Sequence, residues 1–175
     1  MGTRIVVMKD GFVQQIGAPQ HLYDYPINTF VAGFIGTPQM NFFDGHISPD
    51  GTITFANNQK ITLSAKALAA FDEKKIGQGL DIIMGIRPGD LKIADAPGAM
   101  TVSAKVEVIE ALGNETIIYA NLDKHAEAGI EKSPTSITVS AKLKQNPERK
   151  SEILLALDEE AIHIFDKSNE VSIRK

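Results

Sequence analysis

The 175-residue sequence contains no cysteine and no tryptophan. Without cysteine there are no disulfides and no thiolate metal sites, a usage most at home in the cytoplasm. Aromatic residues make up 6%, with only three tyrosines, which argues against an aromatic platform for bases or sugar rings. No apolar run approaches the ~20 residues of a membrane helix. The nearest, at residues 30–42, is interrupted by Gly33, Gly36 and Pro38. The N-terminus lacks the basic-then-apolar pattern of a signal peptide. The net charge is -4, and the densest basic cluster, residues 142–150, is broken by Gln145, Asn146, Pro147 and Glu148. That cluster reads as a solvated loop, and no nucleic-acid partner is expected.

Catalytic motifs are lacking too. There is no G-x-x-x-x-G-K-[ST] loop to cradle phosphates and no G-x-S-x-G elbow. The four histidines (21, 46, 125 and 163) are scattered, and none has a carboxylate at metal-ligand spacing on a helix. The acid pairs in "DEKK" (72–75) and "DEEA" (158–161) lie on polar turns, whereas a catalytic pair needs burial to separate its pKa values. The expectation is no catalytic residue, no metal site, no cofactor held by this stretch and no enzymatic activity of its own.

What is present is a core: 43% hydrophobic residues against 23% charged. Residues 4–8 and 12–16 read as two strands around Asp10-Gly11, a pair that readily supplies the positive φ of a tight hairpin. Pro19 suits the first turn of a short helix ending at Pro26, and Asn28 can cap a second carrying Phe30, Val31, Phe34 and Ile35. Such a hairpin with two helices is too small to bury a core alone. After Pro38 the pattern turns to strands: 42–47, 52–55, 60–63, 80–86, 101–109, 116–122, 137–143, 153–157, 162–165 and 171–173. A helix over 65–74, capped by Ser64, is the one exception. In 101–109, Val102, Ala104, Val106 and Val108 share one face. Many short strands with turns between them indicate a barrel or sandwich.

A weak internal repeat aligns "IIMGIRPGDLKIAD" (82–95) on "ILLALDEEAIHIFD" (153–166) without gaps. Each reads as strand, polar turn, strand, Asp. This is either a duplicated element inside one barrel or a sign of two small related barrels.

Three stretches, "RIVVMKDGFVQQIGAPQHLYDYPINTFVAGFIGTPQMNF" (4–42), "GIRPGDL" (85–91) and "VEVIEALGNETIIYANL" (106–122), together resemble the C-terminal half of ATP-binding subunits of carbohydrate ABC importers, the maltose and multiple-sugar type. The resemblance implies a mostly β fold. Residues 1–38 would be the last hairpin and helices of an ATPase domain, and residues 39–175 an OB-like (TOBE) regulatory barrel. It implies that ATP and Mg are handled by the parent protein, a transport ATPase. The implied partners are a second copy of the chain, the ATPase domain, the permease subunits and a regulatory protein, at the inner face of the cell membrane.

The matched positions offered as dimer or regulatory contacts are Asn41, Phe42, Arg87, Pro88, Glu110, Leu112, Gly113, Asn114, Glu115 and Thr116. Alternatives stand beside them: Arg87-Pro88 can shape a turn, Gly113-Asn114 can be a hairpin turn, and Glu110 can be an ordinary edge residue. Gly89 replaces the acid that often follows "RP" in the family. Phe30, Val31, Phe34 and Ile35 are expected to form an exposed apolar patch and to drive self-association. The competing function is an OB-like module that binds a sugar or an oxyanion.

Overall fold

The computed structural model describes residues 3–123, 135–143 and 146–175. His125, Lys144 and Gln145 lie outside these residues.

Strands β1 (Ile5–Lys9) and β2 (Phe12–Gly17) form an antiparallel hairpin. Asp10 and Gly11 both have positive φ (51° and 83°), the twist that a two-residue turn between right-twisted strands requires. Helix α1 (Pro19–Asp24) begins on proline, and α2 (Thr29–Phe34) is capped by the Asn28 side chain, which accepts from the Val31 amide. Val7, Leu22 and Val31 make a small core between hairpin and helices. A further amide joins the parts: Gln15 donates to the Tyr25 carbonyl at 2.9 Å and accepts from the Ile27 amide at 3.0 Å.

Beyond the cis Thr37–Pro38 peptide, two five-stranded sheets form. The first takes β3 (Asn41–Ile47), β4 (Thr52–Phe55), β5 (Lys60–Thr62), β6 (Leu80–Ile86) and β12 (His163–Asp166), in the order β12-β6-β3-β4-β5. The second takes β7 (Leu91–Ala94), β8 (Thr101–Ala111), β9 (Thr116–Asn121), β10 (Ser136–Ala141) and β11 (Glu152–Leu157), in the order β10-β9-β8-β11-β7. Alternating apolar residues of both sheets meet in one continuous core that includes Ile53, Met84, Ala104, Ile118, Leu155 and Ile164. Each fully buried aliphatic side chain there is worth about 1.5–3 kcal/mol of transfer free energy.

The repeat explains how the sheets are joined. Each copy crosses from one sheet to the other through a 3-10 turn, Pro88–Asp90 or Glu159–Ala161. β6 pairs with β12 and β7 with β11, so the copies exchange partners. The registers obey the alignment: Gly85 pairs with His163, and its image is Ala156 paired with Lys92. The two possibilities left by the sequence thus merge into two sheets threaded through each other.

Three expectations are corrected. The helix over 65–74 is two short helices, α3 (Ala65–Leu68) and α4 (Glu73–Ile76). The break occurs because Phe71 turns into the core and Asp72 caps α4, its carboxylate accepting from the Lys74 amide. Val108 is exposed rather than inward, because a bulge between Val106 and Val108 shifts the register and leaves Ile109 packed on the core. Residues 171–173 form isolated bridges, Val171 to Asn28 and Ser172 to Phe165, rather than a strand.

Candidate functional site

Three clusters meet where the helices of the N-terminal segment touch the sheets. Ala32, Met40 and Phe165 form a small core across the seam, flanked by Phe42 and Ile83. The C-terminal residues return to the same place: the Thr29 amide donates to the Glu170 carbonyl, and the Ser172 amide to the Ile27 carbonyl. Arg87 lies at the centre.

Arg87 is 2% exposed. Its Nη1 donates to the Ile35 carbonyl at 2.7 Å and its Nη2 to the Tyr23 carbonyl at 2.6 Å. The guanidinium carbon sits 3.6 Å from the centre of the Tyr23 ring. Ile35 caps the C-terminus of α2 and Tyr23 lies in the last turn of α1. Carbonyls there lack helical donors, so a fixed planar cation can serve two helix ends at once. Gly36, at φ +114°, allows the approach, since a Cβ would fall 3.0 Å from Nη1. Pro88 is buried and starts the 3-10 turn behind Arg87. The Arg87 Nε is buried and has no hydrogen-bond partner among the described residues.

Around this cation lies a cleft of about 260 Å³, walled by Tyr23, Asp24 and Tyr25 on one side and by Asp90, Glu160, His163 and Arg174 on the other. Burial lowers the pKa of the Arg87 guanidinium. Burial, with repulsion from Arg87 and Arg174, lowers that of His163 to about 4, so its imidazole is neutral. Burial and repulsion from Asp158 push the Asp90 carboxyl upward. Of these cleft residues, only Arg87 is among the positions singled out in the sequence. The signal that could have found the others is the repeat, whose two polar turns bring Asp90 and Glu160 to one place.

The other candidate positions fall into two groups. Asn41 is buried and clasps the edge strand β10, donating to the Thr138 carbonyl at 2.8 Å and accepting its amide at 2.7 Å. Phe42 is half-buried, and with Asn41, Tyr119 and Thr138 it lines a groove of about 430 Å³. Glu110, Leu112, Gly113, Asn114, Glu115 and Thr116 belong to the β8–β9 hairpin. Leu112 is 57% exposed, and its amide donates to the Glu115 carbonyl across a turn in which Gly113 has φ +86°. Tyr119 donates to Glu110 at 3.3 Å, Ser140 to Glu115 at 2.6 Å and Thr116 to Asn146 at 3.1 Å. Arg87 and this hairpin do not converge on one site.

The expected exposed patch is also corrected. Val31 is fully buried, and Phe30 and Ile35 pack partly against the same small core. Of the four, Phe34 is the exposed one at 66%, its ring stacked on that of Phe30, because α2 turns Val31 toward the hairpin. The larger apolar surface is on the hairpin itself, where Val6, Met8, Phe12, Val13 and Ile16 are exposed.

Residues 36–91 match the MalK OB fold domain and residues 84–165 the TOBE domain. The chain is 37% identical over 174 residues to the uncharacterized ABC transporter ATP-binding protein YcjV of Escherichia coli O157:H7, covering 99% of this chain and 44% of that one. It is 36% identical over 178 residues to the oligosaccharides import ATP-binding protein MsmX of Bacillus subtilis, covering 99% and 45%. It is also 36% identical over 173 residues to the trehalose/maltose import ATP-binding protein MalK of Thermococcus litoralis, covering 96% and 43%. The chain therefore spans less than half the length of these relatives. In fold it is similar to the cytoplasmic molybdate-binding protein ModG, with a TM-score of 0.52 at 11% identity, over 71% of this chain and 94% of that one.

Proposed function

From a chain that belongs to the MalK OB-fold and TOBE family of ABC-transporter ATP-binding subunits, we propose a regulatory and dimerisation role in a carbohydrate importer, exerted by contact rather than by chemistry. The observation that carries this reading is Arg87. A cation buried among backbone carbonyls joins the hairpin–helix segment to the sheets, as a part that transmits position would need. The exposed apolar side of the hairpin is the surface for the rest of an ATPase domain, which would hold ATP and Mg and through which the permease subunits are met. The exposed Leu112–Asn114 turn faces a second copy of the chain, and a regulatory protein would meet the same outer surface. The working location is the cytoplasmic side of the membrane, peripheral to the transporter.

Because the sequence has no cysteine, a single Leu112→Cys substitution gives a unique cross-linking handle. Oxidation of that variant, joined to an ATPase part, is expected to yield a covalent dimer. A chain that stays monomeric at high concentration would count against the dimer role. ATP turnover above background by the 175-residue chain alone would overturn the division of labour. Light scattering is expected to show self-association of this chain through the hairpin face, reduced by Phe12→Lys.

A further inference from the structure

The cleft beside Arg87 is not used by a role that acts through contact surfaces, yet its walls come from both sides of the seam. Tyr23, Asp24 and Tyr25 belong to the hairpin–helix segment, and Asp90, His163 and Arg174 to the sheets and the C-terminal segment. We propose that this cleft binds one neutral, polyhydroxylated ring, a monosaccharide, held between the two parts of the chain.

Size comes first. At about 260 Å³ the cleft lies just below the ~300–1,000 Å³ of sites for drug-sized ligands. That admits one ring and not a chain of them.

Charge comes second. Three carboxylates, Asp24, Asp90 and Glu160, stand around the opening against an anion, and the Arg87 and Arg174 guanidinium groups against a cation. Glu160 is taken up by Lys66, and Asp24 by Gln20 at 2.9 Å. Burial pushes the Asp90 carboxyl upward and holds His163 in its neutral form, which both donates and accepts hydrogen bonds. A hydroxyl does the same, so a ring bearing several hydroxyls finds a partner for each, where an ion meets a like charge.

The third point is what is left open. Among the described residues no carboxylate pairs with the Arg174 guanidinium, which lies near the Tyr25 and Phe71 rings. The Tyr25 ring is half exposed, an amphipathic face for the C–H side of a sugar. Two of the three tyrosines in a tryptophan-free chain thus stand at one cleft. Since its walls join across the seam, an occupied cleft would stiffen the joint that Arg87 holds.

This inference is independent of the importer reading and is tested on the chain as it stands. Glucose, galactose and mannose are titrated in turn, with inorganic phosphate as the charged probe, in a Tyr119→Phe background. Tyrosine emission then comes from Tyr23 and Tyr25 alone. At least one sugar is expected to saturate in about the millimolar range, with no response to phosphate. Tyr25→Ala and Arg174→Met are each expected to weaken binding about tenfold or more, with unchanged circular dichroism, while Tyr25→Phe retains it. Flat titrations with all three sugars on folded protein overturn the proposal. So does saturation by phosphate, or sugar binding that is unchanged in both Tyr25→Ala and Arg174→Met.

Discussion

The two crossing turns occupy equivalent places in the repeat and carry opposite charges. Arg87 in the first aligns on Asp158 in the second, and each turn docks a helical element onto the sheets. Arg87 reaches the carbonyls at the C-terminal ends of α1 and α2. Glu159, one residue past Asp158, reaches the N-terminal end of α3, accepting from the Ser64 amide at 3.0 Å and its hydroxyl at 2.9 Å. Carbonyl ends receive the cation and the amide end receives the carboxylate, the pairing that the orphan groups at helix termini favour. The depth differs as well. The arginine is fully buried, whereas the neighbouring Lys66–Glu160 ion pair is exposed on both sides. A duplicated scaffold can therefore carry one deep joint and one shallow joint without changing its strand register.

The sharpest way to break this comparison is Arg87→Ala. It removes two charge-assisted hydrogen bonds and strands two carbonyls, and a loss of about 4 kcal/mol is expected. Urea unfolding should show it, with a melting temperature lower by about 10 °C. Arg87→Lys should recover less than half, since an ammonium does not reproduce the two-pronged geometry.

Acid titration separates the turns next. His163 aligns on the exposed Lys92 of the first copy. Its folded pKa, about 4, lies below the unfolded 6.5, so the unfolded chain takes up the proton first. The stability from keeping it neutral is complete above pH 6.5 and is lost as pH falls toward 4, by up to about 3 kcal/mol. Asp90, raised by burial, works in the opposite sense on acidification. Unfolding of His163→Gln against pH should therefore lack the part of the decline that falls between pH 6.5 and about 4.

Glu159→Ala tests the shallow joint. It is expected to cost about 1 kcal/mol, as loss of a helix cap does, and calorimetric melting checks it. Lys66→Ala should leave the melting temperature unchanged within error at moderate salt, since exposed ion pairs are weak and screened.

Much of the fold was legible in the residues, and the reasons differ by element. Asp10-Gly11, Pro19 and Asn28 act locally, so their turn, helix start and cap follow from chemistry within a few positions. Alternation located the strands because one face of each is buried. The break at Phe71 and Asp72 was not legible: it depends on the Asp72 amide donating to the Ile173 carbonyl, about a hundred positions away. The outward turn of Val108 depends on a bulge opposite β9, which alternation along one strand cannot reveal. Arg87 was legible as a motif but not as a clamp, because its partners, Tyr23 and Ile35, contribute only backbone carbonyls. The remainder of the cleft was invisible for a related reason. Asp90, Glu160, His163 and Arg174 look like ordinary solvated residues until the two turns are brought side by side.

The strand exchange has a consequence in time rather than in space. β6 needs β12, and β11 needs β7, so each sheet waits for a segment that lies well along the chain from its partner. A chain emerging from the N-terminus has β3 to β6 in hand while the far edge of β6 is still bare. An open edge of that kind invites the wrong partner, and closing contacts so distant in sequence slows folding. The last strand is thus the latch on the first sheet, and a chain cut before His163 would leave that sheet without its edge.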